Sequence, residues 1–185
     1  MPRCFIAIDL DQKVKDELRK IQQELEACNR GKIKANFVNP DILHLTLLFF
    51  GEIDDARVNK VKEVLKTMKI EKVDARLNGL GIFPSQDFIR VIWVGLQPNE
   101  KFLQIHETIK AQLERENIKV KQERFESHVT LARIKWLKDK IEFLNCLKKI
   151  KVQPLNFTVD AIKLKKSTLT REGPIYEDIF SLQLL

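Results

Sequence analysis

The stretch Leu43-His44-Leu45-Thr46-Leu47 is repeated later in the chain, with conservative changes, as Ser127-His128-Val129-Thr130-Leu131. Polar and apolar residues alternate in both stretches, which is typical of a β-strand with one buried face. Because residues i and i+2 of a strand lie on the same face, each histidine is beside the threonine of its own stretch. The sequence therefore predicts two strands that offer two His/Thr pairs to one cleft.

The chain contains only three histidines. If residues were scattered freely, two of the three would have a threonine at +2 in roughly one arrangement in 200, an estimate weighed against the false positives of any motif. A single histidine in an apolar strand is typically a hydrogen-bonded core residue, but the repetition favours a functional pair. His106 has no such threonine, and we expect it to flank a helix outside the site.

The composition is that of a globular protein, with 44% hydrophobic and 32% charged residues among 185. We predict one domain over residues 1–185, without a membrane span or a signal peptide, and a cytoplasmic location. Cys4, Cys28 and Cys146 have no metal-binding spacing and are expected to be buried, reduced thiols. The net charge of +7 suits a polyanionic partner but also fits a solvated basic surface.

Hydrophobic periodicity predicts an α+β fold in which two similar lobes each have an antiparallel sheet and flanking helices. We expect loops or turns around residues 29–31, 39–41 and 84–87. The predicted helices cover residues 11–29, 58–68, 98–113 and 138–149. The predicted strands cover the N-terminal residues up to about 8, the first histidine stretch up to 51, and residues 73–83, 88–96, 126–136, 155–166 and 175–184.

Two histidines on opposite sides of a cleft form an acid/base pair near pH 7, because the ordinary pKa of imidazole is about 6.5. In-line displacement at phosphorus needs a base at the entering oxygen and an acid at the leaving oxygen. The threonine hydroxyls can hold the phosphate. No third ligand or HExxH motif supports a metal, and no GxSxG motif supports a serine hydrolase, so we predict phosphoryl chemistry without a cofactor.

The two His-x-Thr-x motifs and the sequences around them resemble the 2H phosphoesterases. Within that superfamily they are most similar to the RNA 2′,3′-cyclic phosphodiesterase branch, also called 2′-5′ RNA ligase. The resemblance extends over nearly the whole chain and is carried by residues 3–8, 44–51, 81–84, 90–93, 128–133 and 173–176.

The resemblance implies a bilobal fold with the active site between the lobes and hydrolysis of an RNA 2′,3′-cyclic phosphate to a 2′-phosphate. It makes His44 the proton donor to the departing 3′-oxygen and His128 the proton acceptor that activates water. Thr46 and Thr130 would bind the phosphate, and 2′-5′ ligation would be the reverse reaction.

Arg133 matches a family arginine that would neutralise phosphate charge. Strict alternation from His128 places Arg133 on the wrong face of the strand, so it reaches the cleft only if the strand bulges; otherwise it is a surface arginine. Phe83 and Tyr176 could stack on a base, but we expect core packing for both.

The expected partner is RNA ending in a 2′,3′-cyclic phosphate, with tRNA fragments among the candidates, and a monomer is expected. Two alternatives remain open from the sequence. The same four residues could serve another 2H activity, on ADP-ribose cyclic phosphate or on 2′-5′ oligonucleotides. The chain could instead be an RNA-binding protein that captures cyclic-phosphate ends without turnover.

Overall fold

The secondary structure alternates between strands and helices, as the periodicity predicts. The structure is a computed structural model that describes residues 1–29, 31, 33–120, 124–171 and 173–185. The helices are α1 (Gln12–Asn29), α2 (Asp55–Thr67), α3 (Asn99–Arg115) and α4 (Lys140–Leu147), and a short 3-10 helix covers Pro40–Ile42. The strands are β1 (Arg3–Asp9), β2 (Ile33–Phe37), β3 (His44–Glu52), β4 (Val73–Pro84), β5 (Ile89–Gln97), β6 (His128–Leu137), β7 (Asn156–Val159), β8 (Ala161–Thr170) and β9 (Gly173–Gln183).

The helices are amphipathic and bury one face against the sheet. In α1 the apolar residues Val14, Leu18 and Ile21 are almost completely buried, as their spacing of three and four requires. The carboxylate of Asp54 accepts a hydrogen bond from the Arg57 amide at 2.8 Å and so caps the N-terminus of α2. Of the helices in the described residues, none is long and apolar enough to span a membrane.

All strand pairs in the sheet are antiparallel, and the strand order is β7-β4-β5-β6-β3-β1-β8-β9, with β2 also paired to β6. The two histidine strands, β3 and β6, are thus central neighbours. One lobe contains β1, β3, β8 and β9, and the other contains β2, β4, β5, β6 and β7. The α+β fold with an antiparallel sheet is confirmed, but the two lobes share one nine-stranded sheet instead of having a sheet each, and each lobe combines strands from distant parts of the sequence.

The sheet curls strongly, because β7, at one end of the strand order, is linked by very little chain to β8, which lies next to the other end. β7 ends at Val159 and β8 begins at Ala161, so strands from different lobes are separated by a single residue. Consecutive Cα atoms are only about 3.8 Å apart, which forces the two lobes to meet there. The curl leaves one face of the sheet concave; on the other, Leu45 and Val129 are fully buried in the core.

Two details of the strand prediction are wrong. Strand β2 lies in a segment for which no strand is predicted; it is short, and its formation depends on pairing with the distant β6. The predicted strand over residues 155–166 is two strands, because β7 pairs with β4 whereas β8 pairs with β1. The loop predicted around residues 29–31 includes Arg30, which lies outside the described residues.

The prediction that all three cysteines are buried, reduced thiols is wrong for two of them. Cys4 is buried and free, but Cys28 and Cys146 are partly exposed and form a disulfide. Their Cα atoms lie 5.9 Å apart because α1 packs against α4. The sequence separation of 118 residues hid this pairing, which only the tertiary structure creates.

Candidate active site

The four residues of the two His/Thr motifs lie around one point of contact between β3 and β6. Leu45 is the register partner of Val129, so in this antiparallel arrangement position 44 is opposite 130 and position 46 is opposite 128. Diagonal neighbours of this kind have Cα atoms about 7–8 Å apart. His44 and His128 therefore occupy opposite corners of a small square, and Thr46 and Thr130 occupy the other two.

Both histidines are held by the same backbone contact. Nδ1 of His44 lies 2.8 Å from the carbonyl oxygen of Ile42, and Nδ1 of His128 lies 2.8 Å from that of Glu126. A carbonyl oxygen only accepts, so Nδ1 carries the hydrogen in both rings and Nε2 is the atom that can gain or lose a proton. Nε2 of His44 lies 3.1 Å from the Thr46 hydroxyl oxygen. The two rings are thus oriented for proton transfer at Nε2.

Each imidazole is packed between two aromatic rings. For His44 these are Phe5 at 5.0 Å and Tyr176 at 5.2 Å between ring centroids. For His128 they are Phe83 at 5.0 Å and Trp93 at 5.9 Å. The expected core packing of Phe83 and Tyr176 is wrong, because both side chains are half-buried and contact the histidines instead. These contacts restrict the orientation of both imidazole rings.

Phe5 and Trp93 also contact the histidines, although no sequence pattern predicts them as site residues. Both lie in strands next to the histidine strands, Phe5 in β1 and Trp93 in β5. Their contacts with His44 and His128 depend on strand order and register. No spacing within the sequence marks them.

Burial lowers the pKa of both histidines below its ordinary value, because it disfavours the charged imidazolium. For His44, the positive charges of Lys165 and His128 lower the pKa further, whereas the Ile42 carbonyl and Asp9 oppose the shift. For His128, Arg133 lowers the pKa, and the Glu126 carbonyl and carboxylate oppose it. The mutual effect of the two imidazoles means that protonation of one disfavours protonation of the other.

A cluster of four charged residues lies beside His44. Lys163 and Lys165 of β8 both donate to the carboxylates of Asp9 and Asp178. Burial alone would raise the pKa of Asp9, but the hydrogen bonds and charges of the two lysines hold it below its ordinary value. Asp9 is the register partner of His44, so the cluster is part of the surroundings of that imidazole.

Arg133 lies on the cleft face of β6 because the strand bulges. Trp93 of β5 pairs with Thr130, but Val91, two residues away on the same face, pairs with Arg133. The additional residue in β6 is accommodated by burying both Leu131 and Ala132.

The electrostatic influence of Arg133 agrees with this position. Its charge lowers the pKa values of both His128 and Tyr176, although burial leaves that of Tyr176 above its ordinary value. His128 and Tyr176 belong to different lobes, so the charge of Arg133 acts on residues of both. The β6 strand therefore has the bulge without which Arg133 would lie on the opposite face.

His106 lies outside this cleft, but it does not merely flank a helix as expected. Its side chain is buried, its Nδ1 lies 2.7 Å from the carbonyl oxygen of Leu47, and its ring stacks on Phe125 at 4.6 Å. His106 thus links α3 to β3 on the core side of the sheet. In the described part of the chain, no group of three or more His, Cys, Asp or Glu side chains is arranged to hold a metal ion.

The chain is similar to known proteins in both sequence and structure. Residues 10–170 match the family model described as the 2′-5′ RNA ligase superfamily. A Methanocaldococcus jannaschii protein named RNA 2′,3′-cyclic phosphodiesterase is 36% identical over 181 residues, which cover 96% of this chain and 98% of the relative. A Thermotoga maritima protein of the same name is 31% identical, with 98% and 95% covered.

Solved structures have the same fold. The crystal structure of TT0787 of Thermus thermophilus superposes with a TM-score of 0.79 at 28% identity and covers 98% of this chain and 97% of its own. The apo crystal structure of LigT from E. coli gives a TM-score of 0.75 at 22% identity, with 99% and 98% covered. The fold described above is thus shared over the full chain.

Proposed function

The chain belongs to the 2′-5′ RNA ligase superfamily and is a cyclic phosphodiesterase, and we propose that it hydrolyses 2′,3′-cyclic phosphates at RNA ends with His44 and His128 as acid and base. Family membership agrees with the resemblance inferred from the residues. The RNA substrate is supported by the names of the curated relatives and by the net charge of +7, which favours a polyanion. The paired proton-transfer groups argue against a protein that only captures RNA ends, because binding alone does not need them.

The observation that carries this mechanism is the diagonal placement of the two imidazoles across the β3–β6 contact. A phosphate between them would have one Nε2 on the side of the entering oxygen and the other on the side of the leaving oxygen. In-line displacement at phosphorus requires such a base and acid on opposite sides of the phosphate. Because both Nδ1 atoms are committed to backbone carbonyls, each ring moves protons at one defined atom.

In the proposed step, Nε2 of neutral His128 takes a proton from water as the water oxygen forms a bond to phosphorus. The bond between phosphorus and the 3′-oxygen breaks, and Nε2 of protonated His44 gives its proton to that oxygen. The product is a 2′-phosphate with a free 3′-hydroxyl. Each acid or base role typically contributes about 10²–10⁴ in rate.

Thr46, Thr130 and Arg133 are proposed to bind the phosphate. The two hydroxyls occupy the other corners of the square, where they can donate hydrogen bonds to non-bridging oxygens. The guanidinium of Arg133 can neutralise part of the phosphate charge. The same arrangement supports the reverse reaction, in which a 5′-hydroxyl attacks the cyclic phosphate and a 2′-5′ linkage forms.

The test is to incubate a short RNA that ends in a 2′,3′-cyclic phosphate with the protein in buffer containing EDTA and to identify the product by phosphorus NMR. We expect a 2′-phosphate from the parent protein. His44→Gln and His128→Gln should each lose about 10²–10⁴ in rate while retaining binding of the uncleaved RNA, because glutamine keeps a polar side chain but cannot act as the acid or base.

A 3′-phosphate product would overturn the proposed assignment of the leaving oxygen. Binding without turnover by the parent would instead support an RNA-end capture protein. Turnover of ADP-ribose cyclic phosphate or of a 2′-5′ oligonucleotide, but not of the RNA end, would identify a different substrate for the same four residues.

A further inference from the structure

The two exposed aromatic side chains in the described part of the chain lie at one end of the sheet. Phe88 is 54% exposed and Trp136 is 52% exposed. Phe88 directly precedes β5, and Trp136 lies near the end of β6, which pairs with β5 in antiparallel orientation. A single exposed aromatic residue is common, but two at the same sheet end call for a functional reason.

Trp136 is on the same face of the sheet as the candidate site. Lys34 and Asn36 are two residues apart in β2 and therefore share a face. In β6, Lys34 pairs with Trp136 and Asn36 pairs with Arg133. A second shift of register lies between these two pairs. Arg133 is on the cleft face with Thr130, so Trp136 and Lys34 continue that face. We name Lys34, Asn36 and Trp136 the β2–β6 strip.

The strip has the residue types with which proteins bind single-stranded nucleic acid. An exposed indole offers a flat surface on which a base can stack, and a lysine beside it can neutralise a backbone phosphate. Lys34 and Asn36 are both exposed. The guanidinium of Arg90 lies 4.2 Å from the Phe88 ring centroid and adds positive charge at this sheet end. The nearby carboxylate of Asp87 is already 3.3 Å from Lys140.

The strip is also at a suitable distance from the phosphate site. Trp136 is six positions after Thr130 in β6, which corresponds to at most about 20 Å along a strand. That distance allows a few nucleotides between the terminal phosphate and the stacked base. Arg133 fills the interval and keeps the path basic.

We propose that the β2–β6 strip binds the single-stranded RNA segment on the 5′ side of the terminal cyclic phosphate. Trp136 stacks on a base, and Lys34 neutralises a backbone phosphate. This proposal rests on the proposed function, because it assumes that the cleft takes an RNA end. It adds that the protein distinguishes an RNA end from a free cyclic nucleotide by contacts remote from the reacting phosphate.

The experiment compares kinetics on a 2′,3′-cyclic mononucleotide and on a hexanucleotide with the same terminal base and cyclic phosphate. We expect a lower KM for the hexanucleotide with the parent protein. Trp136→Ala should raise the hexanucleotide KM about tenfold, a typical loss for one stacked base, and leave the mononucleotide kinetics unchanged. Trp136→Phe should retain most of the affinity, because phenylalanine can also stack.

Lys34→Gln should weaken the salt dependence of the hexanucleotide KM, with a reduction of about 0.7 in the slope of log KM against log salt concentration. Leu169→Ala is the control, because Leu169 is also exposed, at 64%, but lies in β8 of the other lobe. Leu169→Ala should leave the kinetics on both substrates unchanged.

Equal KM values for the two substrates, or an equal effect of Trp136→Ala on both, would overturn the strip proposal and leave the proposed function intact. Failure of the parent to turn over either substrate would overturn the proposed function instead.

Discussion

The ammonium group of Lys165 lies 2.9 Å from the carboxylate of Asp9, and Asp9 is the residue of β1 that pairs with His44 of β3. Only 8% of the Lys165 side chain is exposed, so its charge is weakly screened. Lys165 lowers the pKa of His44 and Asp9 raises it. The ion pair therefore joins two groups that have opposite effects on the pKa of His44, a proposed catalytic residue.

Replacing Lys165 should raise the pKa of His44. Lys165→Met removes a positive charge that lowers the pKa of His44 and leaves Lys163 as the remaining ion-pair partner of Asp9, and both changes favour the imidazolium. The limb of the kcat/KM profile that belongs to His44 should move to higher pH, and the His44 titration followed by NMR should move with it. Lys165→Arg keeps the charge and should restore the parent profile.

Lys163→Met is the matched control for this substitution. Lys163 also contacts Asp9, at 2.9 Å, but it is not among the groups that directly shift the pKa of His44. Lys163→Met should therefore shift the pKa of His44 less than Lys165→Met does. An unchanged His44 titration in Lys165→Met would show that the ion pair has only a structural role.

The pH dependence of kcat/KM should be bell-shaped, because one imidazole must be protonated and the other neutral. The pKa values of both histidines are lowered by burial, so both limbs shift towards acid. We expect the optimum below pH 6.5, falling on the alkaline side as the acid loses its proton. Initial rates at low substrate concentration test this, and a flat profile from pH 5 to 9 with chemistry rate-limiting would contradict the pairing.

Arg133→Ala should lower kcat/KM by roughly 10- to 150-fold, which corresponds to about 1.5–3 kcal/mol for a hydrogen bond to a charged group. The guanidinium lies on the cleft face only because of the bulge at Leu131 and Ala132. Arg133→Lys should recover part of the loss. Arg57→Ala, an exposed arginine of α2, is the control, and equal kinetics for the Arg133 and Arg57 variants would remove Arg133 from the site.

Gly81→Ala should disturb the aromatic packing around His128. A Cβ atom at Gly81 would lie 2.1 Å from the Trp93 ring, so the indole must move. We expect a loss of about 1–3 kcal/mol in the free energy of unfolding, together with a lower kcat. The double variant Gly81→Ala/Trp93→Phe should recover part of both losses, because the smaller ring makes room. Additive losses in the double-mutant cycle would contradict this explanation.

Removing the disulfide should lower stability more than activity. The bond joins α1 to α4 across 118 residues of sequence, and losing such a crosslink typically costs about 2–5 kcal/mol in the free energy of unfolding. Denaturant unfolding of Cys28→Ser/Cys146→Ser should show this loss. Dithiothreitol should destabilise the parent and Cys4→Ala but not the double variant, and insensitivity of the parent to reductant would contradict a stabilising disulfide.

Local structure and the pair of motifs can be predicted from the order of residues along the chain. Alternation around His44 and His128 placed each histidine beside its threonine, because side-chain direction in a strand depends only on position along that strand. In the same way, the spacing of Val14, Leu18 and Ile21 was sufficient for α1. These features follow from neighbours in the chain.

Contacts between residues that are distant in sequence depend on the three-dimensional fold. Arg133 reaches the cleft face because pairing with β5 and the core both require a bulge in β6, and alternation within one strand does not contain that information. The contacts of Lys165 with Asp9 and of Cys28 with Cys146 likewise depend on strand order and helix packing. Such contacts are fixed by the minimum free energy of the whole chain, so no local sequence pattern predicts them.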